Sequence, residues 1–490
     1  MRTCLGVGAT LGLLISMPLL VDAGLPENHL QDWDKAAGQR SDHESTSGGA
    51  EENLPKIEVS ENRRFLMTED GEPFFYLADT AWELFHRLDR EEADRYLTDR
   101  SDKGFNVIQA VILAEGGGLS APNPYGHLPL IDKADPTRPA IKPGPRNDYW
   151  DHVDEIMALA AEKGLYIGLL PAWGRYVTSH WKNGIVDGIF NVENARQYGK
   201  FLGHRYRDRT NIIWILGGDR AAPTKESQAI WRAMAKGVAV GVSGSEDYGE
   251  VLMTYHTSGV GYASDFFHQD RWLDFTSIQY SHGTGVSNWK MIERDYNRQP
   301  VKPTIDLETT YVQIHGANDD HARRSAYFSV FAGACGHTYG HNAIWQMYAP
   351  GRSPLFKVKN YWHDSLDAPS ARQMGYLRKL IESRPFWSRV PDQSLLVSEP
   401  GDGVGRLLVI RGKGYAFVYT PMGKSFRVRF DRISGENVIA SWFDPRTGKS
   451  RPIGPVPNRG EQTFDPPGVP TVGNDWVLIL DDAAKAISPL

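Results

Sequence analysis

At 490 residues, 41% apolar and 11% aromatic, the chain is long enough for one large globular domain with ample core and a smaller second one. A net charge of −6, with no basic block outside short helix faces, argues against a nucleic-acid partner. Two cysteines, Cys4 and Cys335, are too few for a disulfide scaffold, so the fold depends on its core.

The chain opens as a targeting segment. Arg2 supplies a positive start, 5–20 an apolar run and Val21-Asp22-Ala23 a small-residue cleavage site. Residues 1–23 therefore read as a signal peptide, and the protein as secreted or periplasmic. A membrane anchor is the competing reading, but the run falls short of the ~20 residues that a spanning helix needs, so no stable membrane insertion is expected. Cys4 precedes the apolar run and is poorly placed for lipid attachment. Cys335 then remains alone and reads as a small buried apolar residue. Residues 24–56 are polar, with Ser-Thr-Ser-Gly-Gly at 45–49, and read as a disordered linker.

Order is expected from residue 57, with an antiparallel entry around 57–60 and 64–67. From residue 74 the pattern becomes strand, loop, helix, repeated. Apolar runs predict strands at 74–82, 105–113, 165–173, 211–216, 251–256, 275–280, 304–307 and 338–345. Amphipathic stretches predict helices at 90–103, 148–163, 191–207, 224–238, 286–297 and 321–334, with Gly164 closing the second. Eight strands alternating with helices is the count of an α/β (β/α)8 TIM barrel spanning 57–387. An open doubly wound sheet competes, although no Gly-x-Gly-x-x-Gly follows an early strand. After a helix at 369–384 the period changes to two. Runs at 394–398, 406–410, 415–419, 426–430, 442–448 and 475–480 predict a small all-β sandwich over 388–490.

Two acids sit where apolar runs end: Asp219 after the fourth strand and Glu308 at the seventh. In a parallel barrel the strand C-termini form the active-site face. Two carboxylates facing one another there are the minimum apparatus for breaking a glycosidic bond. Gly217-Gly218 remove bulk beside Asp219, which predicts close approach of a substrate ring. Arg220 is placed to hold the Asp219 carboxylate. Taken singly, Asp219 reads equally as a helix cap and Glu308 as a rim salt bridge. Strand alternation predicts Asp306 and Glu308 on the same side. Asp79, Trp82, Gln109, Glu115, Trp173, His256, Tyr280, His282, His337 and His341 lie near other strand ends and supply substrate-binding candidates. Asp79 and Tyr280 lead among them, a tyrosine on strand six being suited to orient a nucleophilic Glu308. His337-x-x-x-His341 would suit a metal only on a helix, which Gly336 and Gly340 oppose, so neither metal nor cofactor is expected. No Gly-x-Ser-x-Gly signals a serine nucleophile.

Four stretches carry a resemblance: 76–82 (Tyr-Leu-Ala-Asp-Thr-Ala-Trp), 103–109 (Lys-Gly-Phe-Asn-Val-Ile-Gln), 214–219 (Trp-Ile-Leu-Gly-Gly-Asp) and 306–311 (Asp-Leu-Glu-x-x-Tyr). Over roughly 58–385 the chain resembles the apiosidase-like catalytic domain of glycoside hydrolase family 140. Its C-terminal part is similar to a small β domain described as collagen-binding. The resemblance implies a (β/α)8 barrel, Asp219 as acid/base, Glu308 as nucleophile, retention of configuration, and release of apiose-bearing units from the pectin rhamnogalacturonan II. Related retaining barrels place Asn-Glu after strand four, where this chain has Gly218-Asp219. The expected partner is a polysaccharide or oligosaccharide substrate. Two alternatives stand: a glycosidase of other specificity on the same barrel, acting on another furanoside or a uronic-acid glycan and tuned by the loop 114–147, and a non-catalytic carbohydrate-binding protein.

Overall fold

The computed structural model describes residues 54–178, 188–280, 282–430 and 432–485. The expected signal peptide, and the expected linker up to residue 53, lie outside the described residues. The linker's last two residues already make contacts: the Tyr166 hydroxyl donates to the Pro55 carbonyl at 2.6 Å, and the Lys56 amide to Glu69 at 2.9 Å. Ile57–Val59 and Leu66–Thr68 then pair antiparallel, and Leu66–Thr68 also pairs with Pro73–Phe74. The Phe74 ring meets Tyr166, the first residue of a parallel strand, so this entry sits at the strands' N-terminal ends.

Eight parallel strands follow: β1 (Tyr76–Thr80), β2 (Val107–Leu113), β3 (Tyr166–Ala172), β4 (Ile212–Gly217), β5 (Met253–His256), β6 (Thr276–Gln279), β7 (Thr304–Glu308) and β8 (Gly336–Tyr339). They are buried on both faces almost throughout, as strands covered by helices must be. Their order is β5-β4-β3-β2-β1-β8-β7-β6, with Gly261–Tyr262 added antiparallel beyond β6, so the sheet curls until first and last strands pair. The ladder is open between β5 and β6. There the Asp274 amide donates to the Met253 carbonyl at 3.0 Å, the Thr254 hydroxyl to the Phe275 carbonyl at 2.7 Å, and the Ser277 hydroxyl to the Tyr255 carbonyl. The described architecture is thus a curled nine-strand sheet with an open seam.

Helices α1 (Arg90–Asp102), α2 (Tyr149–Glu162), α3 (Val192–Tyr206), α4 (Lys225–Ser243), α5 (Trp289–Tyr296) and α6 (Asp319–Phe331) alternate with the strands. Four start on capping boxes, at Asp89, Asn191, Thr224 and Asn318, which satisfy otherwise orphaned amides. The last predicted strand, 338–345, is corrected. Only Gly336–Tyr339 is extended, and Asn342–Trp345 is a helical turn capped by the His341 imidazole. Among the described residues no helix is long and apolar enough to cross a membrane.

After α7 (Pro369–Glu382) come a six-stranded sheet and a two-stranded one, Phe426–Phe430 with Gly460–Phe464. They share a core that includes Val418, Phe426, Trp442, Phe464 and Leu478. The predicted strand at 394–398 is instead a single 3-10 turn, Gln393–Leu395, followed by an isolated bridge at Leu396. The strand Lys449–Pro457 escapes sequence patterning because its three prolines and exposed side chains belong to a sheet edge. The β domain docks on the outer helices. Arg323 of α6 clasps Asp475 through two bonds of 2.9 and 2.7 Å, and Arg384 clasps Asp481 at 2.9 and 2.8 Å. Tyr419 stacks on Tyr327 at 4.8 Å.

Candidate active site

β4 ends in a turn with three successive positive φ angles: Gly217 at 88°, Gly218 at 127° and Asp219 at 49°. A Cβ on residue 217 would lie 2.2 Å from the His256 carbonyl, and one on residue 218 would lie 2.8 Å from the Trp173 ring. The two glycines therefore admit the neighbouring strand and an indole. This corrects the expectation that they clear space for substrate. The turn directs the Asp219 amide to His256 Nδ1 at 3.0 Å. The Asp219 carboxyl takes a hydrogen bond from Gln279 Nε2 at 2.8 Å and lies 3.2 Å from Arg220 Nη1. Burial, reinforced by nearby Glu308, pushes it up to about 7 against the opposing pull of Gln279, Arg220 and His256.

Glu308 ends β7 and is 4% exposed. Between β6 and β7 the register runs Ile278 with Asp306, then Gln279 with Glu308, so Leu307 is skipped. That irregularity overturns the expectation from strict alternation. Asp306 accepts from Asn288 at 2.8 Å and Ser329 at 3.0 Å, within the helical layer, and burial raises it to about 7. Glu308 meets a different set. His256 Nε2 lies 2.9 Å from one oxygen and His282 Nε2 3.0 Å from the other. Burial pushes Glu308 up, but the two imidazoles outweigh it and hold the carboxyl at about 2. His282 Nδ1 faces the Thr309 carbonyl at 2.8 Å, so both its ring nitrogens face acceptors. Burial alone would lower its pKa, yet contact with Glu308 raises it.

Indoles and a phenol surround this pair. Trp82 donates to the Tyr311 hydroxyl at 3.0 Å, and its ring lies 5.3 Å from both Trp173 and His256. Tyr311 packs on His282 at 4.5 Å. Trp82 and Trp173 are 4% exposed, so they wall the site rather than offer open stacking faces. Glu115 joins through Arg220, whose Nη2 lies 3.2 Å from its carboxylate.

The remaining candidates lie in other surroundings. Asp79 is fully buried against Arg100 of α1 at 2.7 Å and the Tyr96 hydroxyl at 2.8 Å, a clasp between strand and helix. Gln109 bonds Tyr76 and Thr338 inside the curled sheet. The Tyr280 hydroxyl donates to the Gly285 carbonyl at 2.8 Å, and its bond to Glu308 is main chain only; the two histidines orient that carboxylate instead. His337 is buried, which lowers it to about 3, and His341 accepts the Ala343 amide, so the two do not form a ligand pair. Among the described residues no group of three or more His, Cys, Asp or Glu could hold a metal ion. Gln279 and Tyr311 were absent from the sequence candidates. Gln279 ends the strand beside Glu308, where position was the only signal, whereas Tyr311, three residues after Glu308, closes the 306–311 stretch that carries the family resemblance.

Residues 60–388 match a family described as "Apiosidase-like, catalytic domain", and 390–481 match one described as "Putative collagen-binding domain of a collagenase". A solved structure described as "Glycoside hydrolase" is 36% identical, covers 89% of this chain and 98% of its own, and superposes with a TM-score of 0.80. A glycoside hydrolase family 5 structure from Bacteroides vulgatus ATCC 8482 is 34% identical over 88% of this chain and 94% of its own, with a TM-score of 0.80. Among curated proteins no sequence matches. With two thirds of its length matched by that catalytic domain, and full-length likeness to solved glycoside hydrolases, the chain belongs to the apiosidase-like catalytic-domain family and is a glycoside hydrolase.

Proposed function

We propose that this enzyme is a secreted, retaining apiosidase of glycoside hydrolase family 140, working on a (β/α)8 barrel and releasing apiose-bearing units from rhamnogalacturonan II. The observation that carries the reading is geometric: two carboxyls at the C-terminal ends of β4 and β7 meet on one ring, His256, whose Nδ1 takes the Asp219 amide at 3.0 Å and whose Nε2 lies 2.9 Å from Glu308. Histidines keep Glu308 ionised, while burial keeps Asp219 largely protonated up to about pH 7.

The steps follow. Glu308 attacks the anomeric carbon as the Asp219 proton passes to the leaving glycosidic oxygen. The bond to that oxygen breaks and a glycosyl ester forms on Glu308. Asp219, now ionised, takes a proton from water, whose oxygen displaces Glu308 and regenerates both groups. Two displacements at one carbon retain its configuration. Arg220 and Gln279 hold the Asp219 carboxyl throughout.

The test is incubation with rhamnogalacturonan II, with products resolved by chromatography and mass. Apiose-terminated oligosaccharide released by the wild type and lost in Glu308→Ala supports substrate and nucleophile together. Activity confined to another glycan would move the specificity while leaving the two carboxyls in place. Full activity in both Asp219→Ala and Glu308→Ala would overturn the assignment.

A further inference from the structure

His256 has the residue type of a sugar ligand, but its surroundings leave no edge of it for a sugar. It is fully buried, with Trp82 set edge-on to its ring and Trp173 tilted against it. Nδ1 takes the Asp219 amide at 3.0 Å, and Nε2 lies 2.9 Å from Glu308 Oε2. Neither of those last two atoms has a hydrogen-bond partner, so they meet as a charge contact buried from water. One bond away, the Gly218 amide donates to the His256 carbonyl at 2.9 Å. Two successive amides of the turn that carries the acid thus end on this single residue.

We propose that His256 is a positioning residue that ties the acid to the nucleophile, locked as the tautomer with its proton on Nε2. The proposal rests on the reading of Asp219 and Glu308 given above. A backbone amide can only donate, so Nδ1 must present its lone pair to Asp219, and the neutral ring's proton is left on Nε2, beside Glu308. The Thr257 carbonyl, 3.1 Å from Nδ1, is served only if Nδ1 carries a proton, and that proton would collide with the Asp219 N–H. One ring therefore sets two things. Its Nδ1 side holds the left-handed turn that aims Asp219, and its Nε2 side favours the ionised Glu308. Because the ring cannot shift toward one carboxyl without leaving the other's support, their separation is fixed by a rigid five-membered ring and two indole walls.

Two substitutions split the roles. In His256→Asn the carboxamide reaches the Nδ1 position and can accept the Asp219 amide, but it cannot reach Glu308. In His256→Gln the amide nitrogen reaches the Nε2 position and can donate to Glu308, but nothing replaces Nδ1. On any glycoside that the wild type hydrolyses, both are expected to lower kcat about 10²-fold, the cost typical of a misplaced catalytic group, with KM little changed. The acidic limb of the kcat/KM pH profile should move to higher pH in Asn only, and the alkaline limb should move in Gln only. A raised KM with unchanged kcat would make His256 a substrate ligand, and a loss with neither limb moved would make it mere packing; either overturns the proposal. The activity-independent measurement is the ¹⁵N spectrum of histidine-labelled wild type near neutral pH, with the His256 signals assigned by their disappearance in the Asn variant. A bare Nδ1 and a protonated Nε2 are expected, and a protonated Nδ1 refutes the lock. If the wild type hydrolyses no glycoside, the functional reading fails while the tautomer is still measured.

Discussion

Asp219 and Glu308 are both carboxyls in dry surroundings, and what separates them is the company each keeps. Two imidazoles reach Glu308, whereas Asp219 has one amide donor, a guanidinium and its own burial beside a charged neighbour. The active free enzyme carries Asp219 protonated and Glu308 ionised, and kcat/KM follows that form. Raising pH through about 7 strips Asp219, so kcat/KM should fall above that point. Lowering pH leaves Glu308 ionised until about 2, so no loss should be seen between pH 6 and 4 while the fold survives. A kcat/KM profile that climbs from pH 7 to 9 contradicts this. Asp219→Ala should lower kcat on an oligosaccharide about 10²–10⁴-fold, the usual share of a general acid. The first step on an aryl glycoside with a dinitrophenolate leaving group needs no proton and should be spared, giving a burst followed by slow turnover. Glu115 adds a finer adjustment. It shares Arg220 with the acid, and Arg175 and Glu83 also act on it. Glu115→Gln removes the negative charge that competes for Arg220, so the guanidinium favours ionised Asp219 more strongly and the alkaline limb should move to lower pH, read from the same profile.

At the scale of elements, the apolar runs made seven of the eight strand ends legible, and with them the two acids, because parallel strands buried on both faces read as unbroken hydrophobic stretches. Where the backbone departs from a regular period, patterning gave the wrong side. The skipped Leu307 turns Asp306 into the helical layer and Glu308 to the histidines, and no residue type announces such an irregularity. Asp79 illustrates the same blindness from another direction. Its position at a strand end is that of a ligand, yet Arg100, twenty-one residues later on α1, claims it. Gly217-Gly218 was legible as a need for space, though not as space for Trp173 and the His256 carbonyl. Gly218→Ala tests that reading. The residue holds φ at 127°, and the new methyl would sit 2.8 Å from the Trp173 ring and 3.0 Å from the Gly174 nitrogen. The expected cost is about 1–3 kcal/mol of backbone strain, with crowding in addition, measured as a lower urea midpoint. Because the strained turn aims Asp219, kcat should fall with it. A variant of native stability and activity would mean that the turn relaxes freely.

For the whole molecule, the catalytic domain and the β domain meet on the outside of the curled sheet, along α6 and the chain that follows α7, away from Asp219 and Glu308. The junction combines buried charge with stacked rings: Arg323 and Asp475 are 5% and 1% exposed, and Tyr327, Phe328 and Phe331 of α6 all pack on Tyr419. Such a surface makes the β domain part of the catalytic domain's own stability. Arg323 also holds Gln373 of α7, so its guanidinium joins three segments distant in sequence. Arg323→Ala strands the Asp475 carboxylate without its buried partner, and breaking a pair of this kind costs about 3–5 kcal/mol. Urea unfolding should show that loss as a shift of the single transition if the domains unfold together, or as an early transition of the β domain if they do not. Specific activity of the folded fraction should be unchanged, since Arg323 touches neither carboxyl. Asp475→Ala should cost a similar amount, and the double variant little more than either single one, because the stranded charge is then removed. Additive losses would mean that the two residues act through separate contacts and that the rings around Tyr419 carry the junction.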